Sequence, residues 1–189
     1  MNPLDEFTVP FGGLSQGLHR YEFEAGPSFF KAIASPLYQT GDVQVLVTLE
    51  KQSAMLVLGF EAKGSLRVSC DRCTADATIP LSGKANRFLV VKFGNPDADP
   101  GTEEIMVLPH SESHLNLAQT TFEFLHSLVP NVIIPCEITG SNEVCNQDVL
   151  LQLDRHRTHQ PGPDSGPSIW KGLEGLSSES QQTEESNNT

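Results

Sequence analysis

Basic residues are scarce in this sequence of 189 residues. It contains 12 Lys and Arg against 24 Asp and Glu, which gives a formal net charge of −12. A protein that holds nucleic acid by bulk charge needs a basic face to release counterions. The composition therefore argues against naked nucleic acid as the main partner and favours a basic protein. Direct contact with nucleic acid would require a local basic patch.

Long apolar runs are also missing. No stretch approaches the roughly 20 consecutive apolar residues that cross a bilayer, so we expect no membrane segment. The first twenty residues include Asp5 and Glu6 and lack the basic start and apolar run of a signal peptide. We therefore expect a cytoplasmic protein. The sequence has no Walker loop, no dinucleotide fingerprint and no convincing catalytic constellation, so we do not expect an enzyme.

Period-two alternation of apolar residues predicts several β-strands. Val43, Val45, Val47 and Leu49 share one strand face, and a short polar link leads to a hairpin partner over residues 54–62. The alternation continues after a break or bulge at Lys63-Gly64 and runs into Cys70. Further strands are predicted over residues 20–24, 86–93 and 104–108. We expect a mainly antiparallel, barrel-like sheet.

Helix signals gather in the last third of the chain. Asn116 can cap a helix that Pro130 ends, and Asn146 can cap a helix over residues 147–157. A further short helix is predicted at residues 27–34. The fold class is therefore α+β, with two or three C-terminal helices and one domain over residues 1–159. A Pro/Gly linker over 160–168, a Trp/Leu segment over 169–176 and a disordered acidic tail over 177–189 follow.

The four cysteines form two pairs. Cys70 and Cys73 end a predicted strand, and Cys136 and Cys145 follow a short apolar run. In a reducing compartment such pairs bind metal or do redox work more often than they form structural disulfides. A two-residue gap lets both sulfurs point at one centre, and zinc takes four thiolates in a tetrahedron. We expect a structural zinc site of all four cysteines. The alternatives are inert buried thiols and a redox pair.

Trp170, Leu173 and Leu176 recur at three-residue spacing between the linker and the tail. A Trp in this setting can dock into a groove of a partner protein. The segment can equally fold back onto its own domain as a clasp. Both interpretations stay open, because the buried area decides between them.

The order of these features resembles the YceD-like family, described as large ribosomal RNA subunit accumulation proteins. The likeness spans roughly residues 40 to 176. Its most specific element is a strand that enters Cys-x-Arg-Cys, here Val68-Ser69-Cys70-Asp71-Arg72-Cys73. An acidic strand, a helix ending in Leu-x-Pro, a segment bearing Cys136 and Cys145, and the aromatic-x-x-Leu-x-x-Leu at Trp170 complete it.

The resemblance implies a cytoplasmic ribosome-biogenesis factor that supports accumulation of large-subunit ribosomal RNA without known catalysis. Its partner would be a large-subunit ribosomal protein or a ribosome precursor. The residues that we expect to bind that partner are Arg67, Arg72, Trp170, Leu173 and Leu176. Arg87 and Lys92 are further candidates for phosphate contact, although each can simply be a solvated strand residue. The alternative function is a thiol-redox or metal-dependent enzyme that uses Cys70 and Cys73.

Overall fold

The computed structural model describes residues 2–34, 38, 40–97, 101–102, 104–140 and 145–157. The chain divides into two compact units, Met1–Leu150 and Leu151–Thr189. Of the second unit, only residues 151–157 are described. The predicted linker, the segment with Trp170, Leu173 and Leu176, and the predicted disordered tail all lie outside the described residues.

A five-stranded sheet dominates the first unit. The first four strands of the sheet pair antiparallel in chain order, and the fifth runs parallel to the fourth. These strands are β2 (Gly17–Ala25), β3 (Thr40–Lys51), β4 (Met55–Ser69), β5 (Asp76–Phe93) and β6 (Ile105–Leu108). Two short strands, β1 (Thr8–Pro10) and β7 (His114–Asn116), form a separate antiparallel ribbon. The mainly antiparallel sheet predicted from the alternation is confirmed.

The described residues form four α-helices beside the sheet, three of them after residue 117. They are α1 (Pro27–Ile33), α2 (Ala118–Ser127), α3 (Pro135–Thr139) and α4 (Gln147–Arg157). The Asn116 side chain accepts a hydrogen bond of 3.0 Å from the Ala118 N–H, which satisfies one of the free amides at the start of α2. The α+β class with late helices is therefore confirmed. No described helix has the length and apolar character needed to span a membrane.

The core lies on one face of the sheet. The alternate residues Val43, Val45, Val47 and Leu49 of β3 are at most 1% exposed. Helix α1 packs against β2 and β3, and α2 packs against β4. Their aromatic residues Phe29, Phe30 and Phe124 are buried in the same core. The opposite face of the sheet carries the polar residues of the alternation, as period two requires.

The prediction of a barrel-like sheet is wrong, because the sheet is open. Closure would require β2 to pair with β6 at the other edge. β6 has only four residues and runs parallel to β5. The N-terminal strand β1 pairs with β7 and therefore does not extend the sheet. Both β2 and β6 remain edge strands.

The predicted break at Lys63-Gly64 is also wrong, since β4 is one continuous strand of 15 residues. A side chain at Gly64 would clash with the carbonyl oxygen of Asp42 on β3, so the glycine marks a close approach of two backbones. The irregularity falls instead at Gly59. Leu58 pairs with Leu89 and Phe60 pairs with Ala85, so Gly59 alone faces residues 86–88, which form a bulge in β5.

Candidate metal centre

The first cysteine pair lies in the tight connection between β4 and β5, which we call the cysteine turn (residues 70–75). The Cys70 N–H donates to the Ala75 carbonyl, and the Thr74 N–H donates to the Cys70 carbonyl, both at 2.9 Å. Thr74 has φ of 59°, a left-handed conformation that a β-branched residue rarely adopts. The register of the two strands therefore fixes both Cys70 and Cys73 at the same end of the sheet.

Backbone amides point at both sulfurs of the turn. The Arg72 N–H donates to the Cys70 Sγ at 3.4 Å. The Cys73 Sγ accepts hydrogen bonds from the N–H groups of Ala75 and Asn146. The bond from Ala75 is the largest cause that lowers the pKa of the Cys73 thiol, and it outweighs the opposing effect of burial. The turn is therefore arranged to stabilise a thiolate at Cys73.

The second pair lies in residues 132–140 and 145, which we call the second cysteine segment. Asp71 of the cysteine turn holds this segment in place. Its N–H donates to the Ile133 carbonyl at 2.9 Å, and its Oδ2 accepts from the Ile133 N–H at 2.6 Å. Two reciprocal bonds join chain positions that lie 62 residues apart. Sequence reasoning missed this role of Asp71.

Helix α3 carries Cys136 in its first turn. Pro135 occupies the first turn as well, where its missing N–H costs no hydrogen bond. The helix ends at Thr139 and is capped by Gly140, whose φ of 72° is the left-handed conformation that suits glycine. Residues 141–144 are not described, and Cys145 then precedes Asn146, whose amide donates to the Cys73 Sγ.

The structure brings all four cysteines together. Cys70, Cys73, Cys136 and Cys145 line one small space with Ala75, Ala77 and Pro135, and that space is too small for a water molecule. The first three are buried and Cys145 is half-buried; none of the four forms a disulfide. The Cys73 thiol is hydrogen-bonded to Cys70 and Cys145, and the Cys145 thiol is hydrogen-bonded to Cys136. Burial raises the pKa of Cys145.

Arg72, the arginine of Cys-x-Arg-Cys, contacts the second cysteine segment. Its Nη2 donates to the Cys136 Sγ at 2.8 Å, and its Nη1 lies 3.4 Å from the Glu137 Oε1. The charge of Cys136 is the largest cause that raises the pKa of the guanidinium. The Nε of Arg72 is buried without a hydrogen-bond partner in the described part of the chain. The side chain therefore faces the sulfur cluster.

The donor set has the composition of a structural zinc site but not yet its geometry. With the side chains as they stand, no group of three or more His, Cys, Asp or Glu residues in the described ranges is arranged to hold a metal ion. The thiols hydrogen-bond to one another and do not converge on a common vacant centre. Four sulfurs from two segments, with amide donors to two of them, are nonetheless the chemistry that zinc selects.

The other predicted site residues lie apart from this cluster or outside the described residues. The Arg67 Nη2 lies 3.8 Å from the Asp76 Oδ2, and both side chains are substantially exposed. Arg87 and Lys92 are exposed on β5. Trp170, Leu173 and Leu176 fall in the part of the chain that is not described.

No family model matches this chain, and neither a curated protein nor a solved structure does. The resemblance to the YceD-like family therefore rests on the residues quoted for it, and what it implies stays a prediction.

Proposed function

We propose that this chain is a non-catalytic assembly factor of the large ribosomal subunit, with a structural zinc ion bound by Cys70, Cys73, Cys136 and Cys145. It would support accumulation of large-subunit ribosomal RNA by binding a ribosomal protein or a subunit precursor in the cytoplasm. One observation carries the zinc site: the four cysteines, which come from two distant segments, line the same small space.

The spacing of the sulfurs supports zinc as the occupant. A tetrahedron with zinc–sulfur bonds of about 2.3 Å has sulfurs about 3.8 Å apart, close to the contact distance of two sulfur atoms. The thiols already interact in a chain from Cys70 through Cys73 and Cys145 to Cys136, so the four side chains are neighbours. Ligation would require the side chains to turn their sulfurs toward one centre. Such a closed four-ligand site stabilises the fold and leaves no open position for a substrate.

Arg72 suits the same proposal. Four thiolates around one zinc carry a net charge of about −2. The guanidinium at the Cys136 Sγ offsets part of that charge from within hydrogen-bond distance. This position accounts for an arginine between the two cysteines without invoking phosphate. A role of Arg72 in contacting the partner stays a prediction.

A second candidate is a thiol-redox protein that uses Cys70 and Cys73. The lowered pKa of Cys73 favours it, because the thiolate is the nucleophile in thiol–disulfide exchange. Against it, the pair lies in a turn between two strands, and not at a helix N-terminus. Both sulfurs are also buried, and reactive cysteines are usually accessible.

The ribosomal part of the proposal is supported by the order of sequence features and by charge. A net charge of −12 suits a basic ribosomal protein as the direct partner, since opposite charges steer association. This chain would then touch only RNA that is already bound to that protein. Arg67, on the outer face of the sheet, is a candidate for contacting its phosphates.

Metal analysis of the purified full chain tests the zinc site. We expect one zinc per chain and four thiols that react with a thiol reagent only after chelation. Cys70→Ser and Cys145→Ser should each lose most of the zinc. Ser82→Ala, an exposed position on β5, serves as the control and should retain it. A metal-free protein with a reversible Cys70–Cys73 disulfide would overturn the zinc site in favour of the redox candidate.

Co-purification from cells tests the ribosomal function separately. The tagged full chain, cross-linked before lysis, should enrich large-subunit precursors and at least one basic ribosomal protein over a mock purification. Depletion of the chain should lower large-subunit ribosomal RNA relative to small-subunit RNA. If no ribosomal component is enriched and the RNA ratio is unchanged, the assembly proposal is wrong even where zinc is bound.

A further inference from the structure

The strand β2 forms an open edge of the sheet. It pairs along its whole length of nine residues with β3 on one side. On its other side, its backbone makes no hydrogen bond to any described residue. An edge of this kind presents a row of free N–H and C=O groups, which is a template for a further strand.

The two faces of β2 differ along this edge. On the core face, His19, Tyr21 and Phe23 are half-buried, whereas the corresponding residues of the neighbouring strand β3 are fully buried. Phe23 stacks on Phe7 of the core with ring centroids 5.0 Å apart. A strand added to this edge would cover the remaining apolar surface of Tyr21 and Phe23, so apolar side chains are favoured on that face.

The outer face of β2 carries four exposed residues, Leu18, Arg20, Glu22 and Glu24, and the two carboxylates lie together in the C-terminal half of the strand. Glu22 and Glu24 are exposed, and neither makes an ion pair or a side-chain hydrogen bond with the described residues. A groove on this face runs from them across β3 to Glu61 and Lys63 on β4. Glu61 is already paired with Lys84 at 2.9 Å, so the two carboxylates at the edge are the ones left for a partner. Basic side chains on an added strand would lie opposite them.

We infer that β2 is a docking edge for an extended segment of a partner protein in which apolar and basic residues alternate. Side chains of an added strand point alternately to the two faces, so one set meets Tyr21 and Phe23 and the other meets Glu22 and Glu24. The main-chain hydrogen bonds supply affinity and the alternation supplies specificity. The inference rests on β2 and is independent of zinc and of a role in ribosome assembly.

Synthetic peptides test the edge directly with the full chain. The probe is a capped peptide of alternating valine and lysine that is as long as β2. A peptide of identical composition with its valines and lysines in separate blocks controls for charge. Two further peptides carry N-methyl groups on every second amide, one in each phase, so that one of the two loses its N–H donors to the β2 edge. Binding is measured by fluorescence anisotropy at fixed salt.

We expect the alternating peptide to bind at least about tenfold more tightly than the block peptide and than one of the N-methylated forms. Hydrogen exchange should slow at β2 amides and remain unchanged at the cysteine turn. Equal binding of all the peptides would overturn the proposal, because the interaction would then be charge alone. If protection of the β2 amides increases with protein concentration in the absence of peptide, the proposal is also overturned, because a second copy of the chain would then occupy the edge.

Charge reversal on the protein gives a second, matched test. Glu22→Lys with Glu24→Lys should weaken binding of the alternating peptide about tenfold, since two attractive cross-strand pairs become repulsive. Asp97→Lys with Glu112→Lys makes the same change in net charge at exposed loop positions and should change binding less than about twofold. Equal weakening by the two double variants would show that only the overall charge matters and would overturn the docking edge.

Discussion

The cysteine turn is held by the two strands that it joins, whereas the second cysteine segment is attached to that turn by a few hydrogen bonds of Asp71 and Arg72. Residues 70–75 continue the register of β4 and β5, which pair from Ser69 and Asp76 onward. The second segment has a helix of only five residues, which packs against β5 and is joined to the turn by Asp71 and Arg72. The sheet therefore positions Cys70 and Cys73 of the proposed site, whereas Cys136 and Cys145 lie in a segment that is attached to the sheet by fewer bonds.

This difference suggests an order of stability. The cysteine turn should keep its structure for as long as the sheet is folded, because strand pairing and the buried alternate residues maintain it. The second segment has few backbone bonds of its own and should open first, exposing Cys136 and Cys145. A metal that joins the two halves would raise the stability of the second segment up to that of the sheet.

The largest expected effect is that of removing the metal. Chelation of the proposed zinc ion should lower the free energy of opening the second cysteine segment by about 4 kcal/mol if free zinc stands about 1,000-fold above its dissociation constant. The first effect should be local, because strand pairing holds the sheet together when the second segment opens. Hydrogen exchange should therefore accelerate in residues 132–140 long before it does in β3 and β4. Uniform acceleration across the sheet would contradict the comparison.

Substitution of Arg72 should have the next largest effect. Arg72→Gln removes the positive charge at the Cys136 Sγ, and outer-shell changes of this kind cost about 10–100-fold in metal affinity. The measurement is competition for zinc against a chelator of known affinity, supported by the cobalt spectrum of the site. Arg67→Gln is the control, because Arg67 pairs with Asp76 in an exposed position and should change zinc affinity less than about twofold. Equal zinc affinities of the two variants would show that Arg72 does not contribute to metal binding.

Substitution of Asp71 probes the attachment without touching the sulfurs. Asp71→Ala removes the acceptor of the Ile133 N–H and should cost about 1–2 kcal/mol of stability, the lower range for a charged hydrogen bond at an exposed position. Asp71→Asn retains an acceptor oxygen and should recover part of the loss. Exchange of the Ile133 amide reports the effect directly. If Asp71→Ala leaves that amide equally protected, the second segment is fastened by other contacts.

The same difference explains what could be predicted from the sequence. Alternation from Leu66 and Val68 into Cys70 placed the cysteine turn at a strand end, because periodicity is a local property of the chain. The bond from Ile133 to Asp71 has no local signal, since nothing in a turn residue identifies an amide 62 residues away. The barrel was predicted wrongly for a related reason. Period two shows which face of a strand is buried, but it does not show whether β2 and β6 pair.

The smallest expected effect concerns Thr74, the residue of the cysteine turn with positive φ. A β-branched residue is strained there, whereas asparagine tolerates the left-handed conformation well. Thr74→Asn should therefore raise the free energy of unfolding by about 0.5 kcal/mol, reduced by loss of the Thr74 hydroxyl bond to the Cys73 carbonyl. Thr78→Asn, at an exposed extended position of β5, is the control and should be neutral or slightly destabilising. Chemical denaturation of the metal-free protein measures both changes, because only there does the sheet alone hold the cysteine turn. If Thr74→Asn destabilises the metal-free chain as much as Thr78→Asn does, backbone strain at Thr74 does not lower the stability of the cysteine turn.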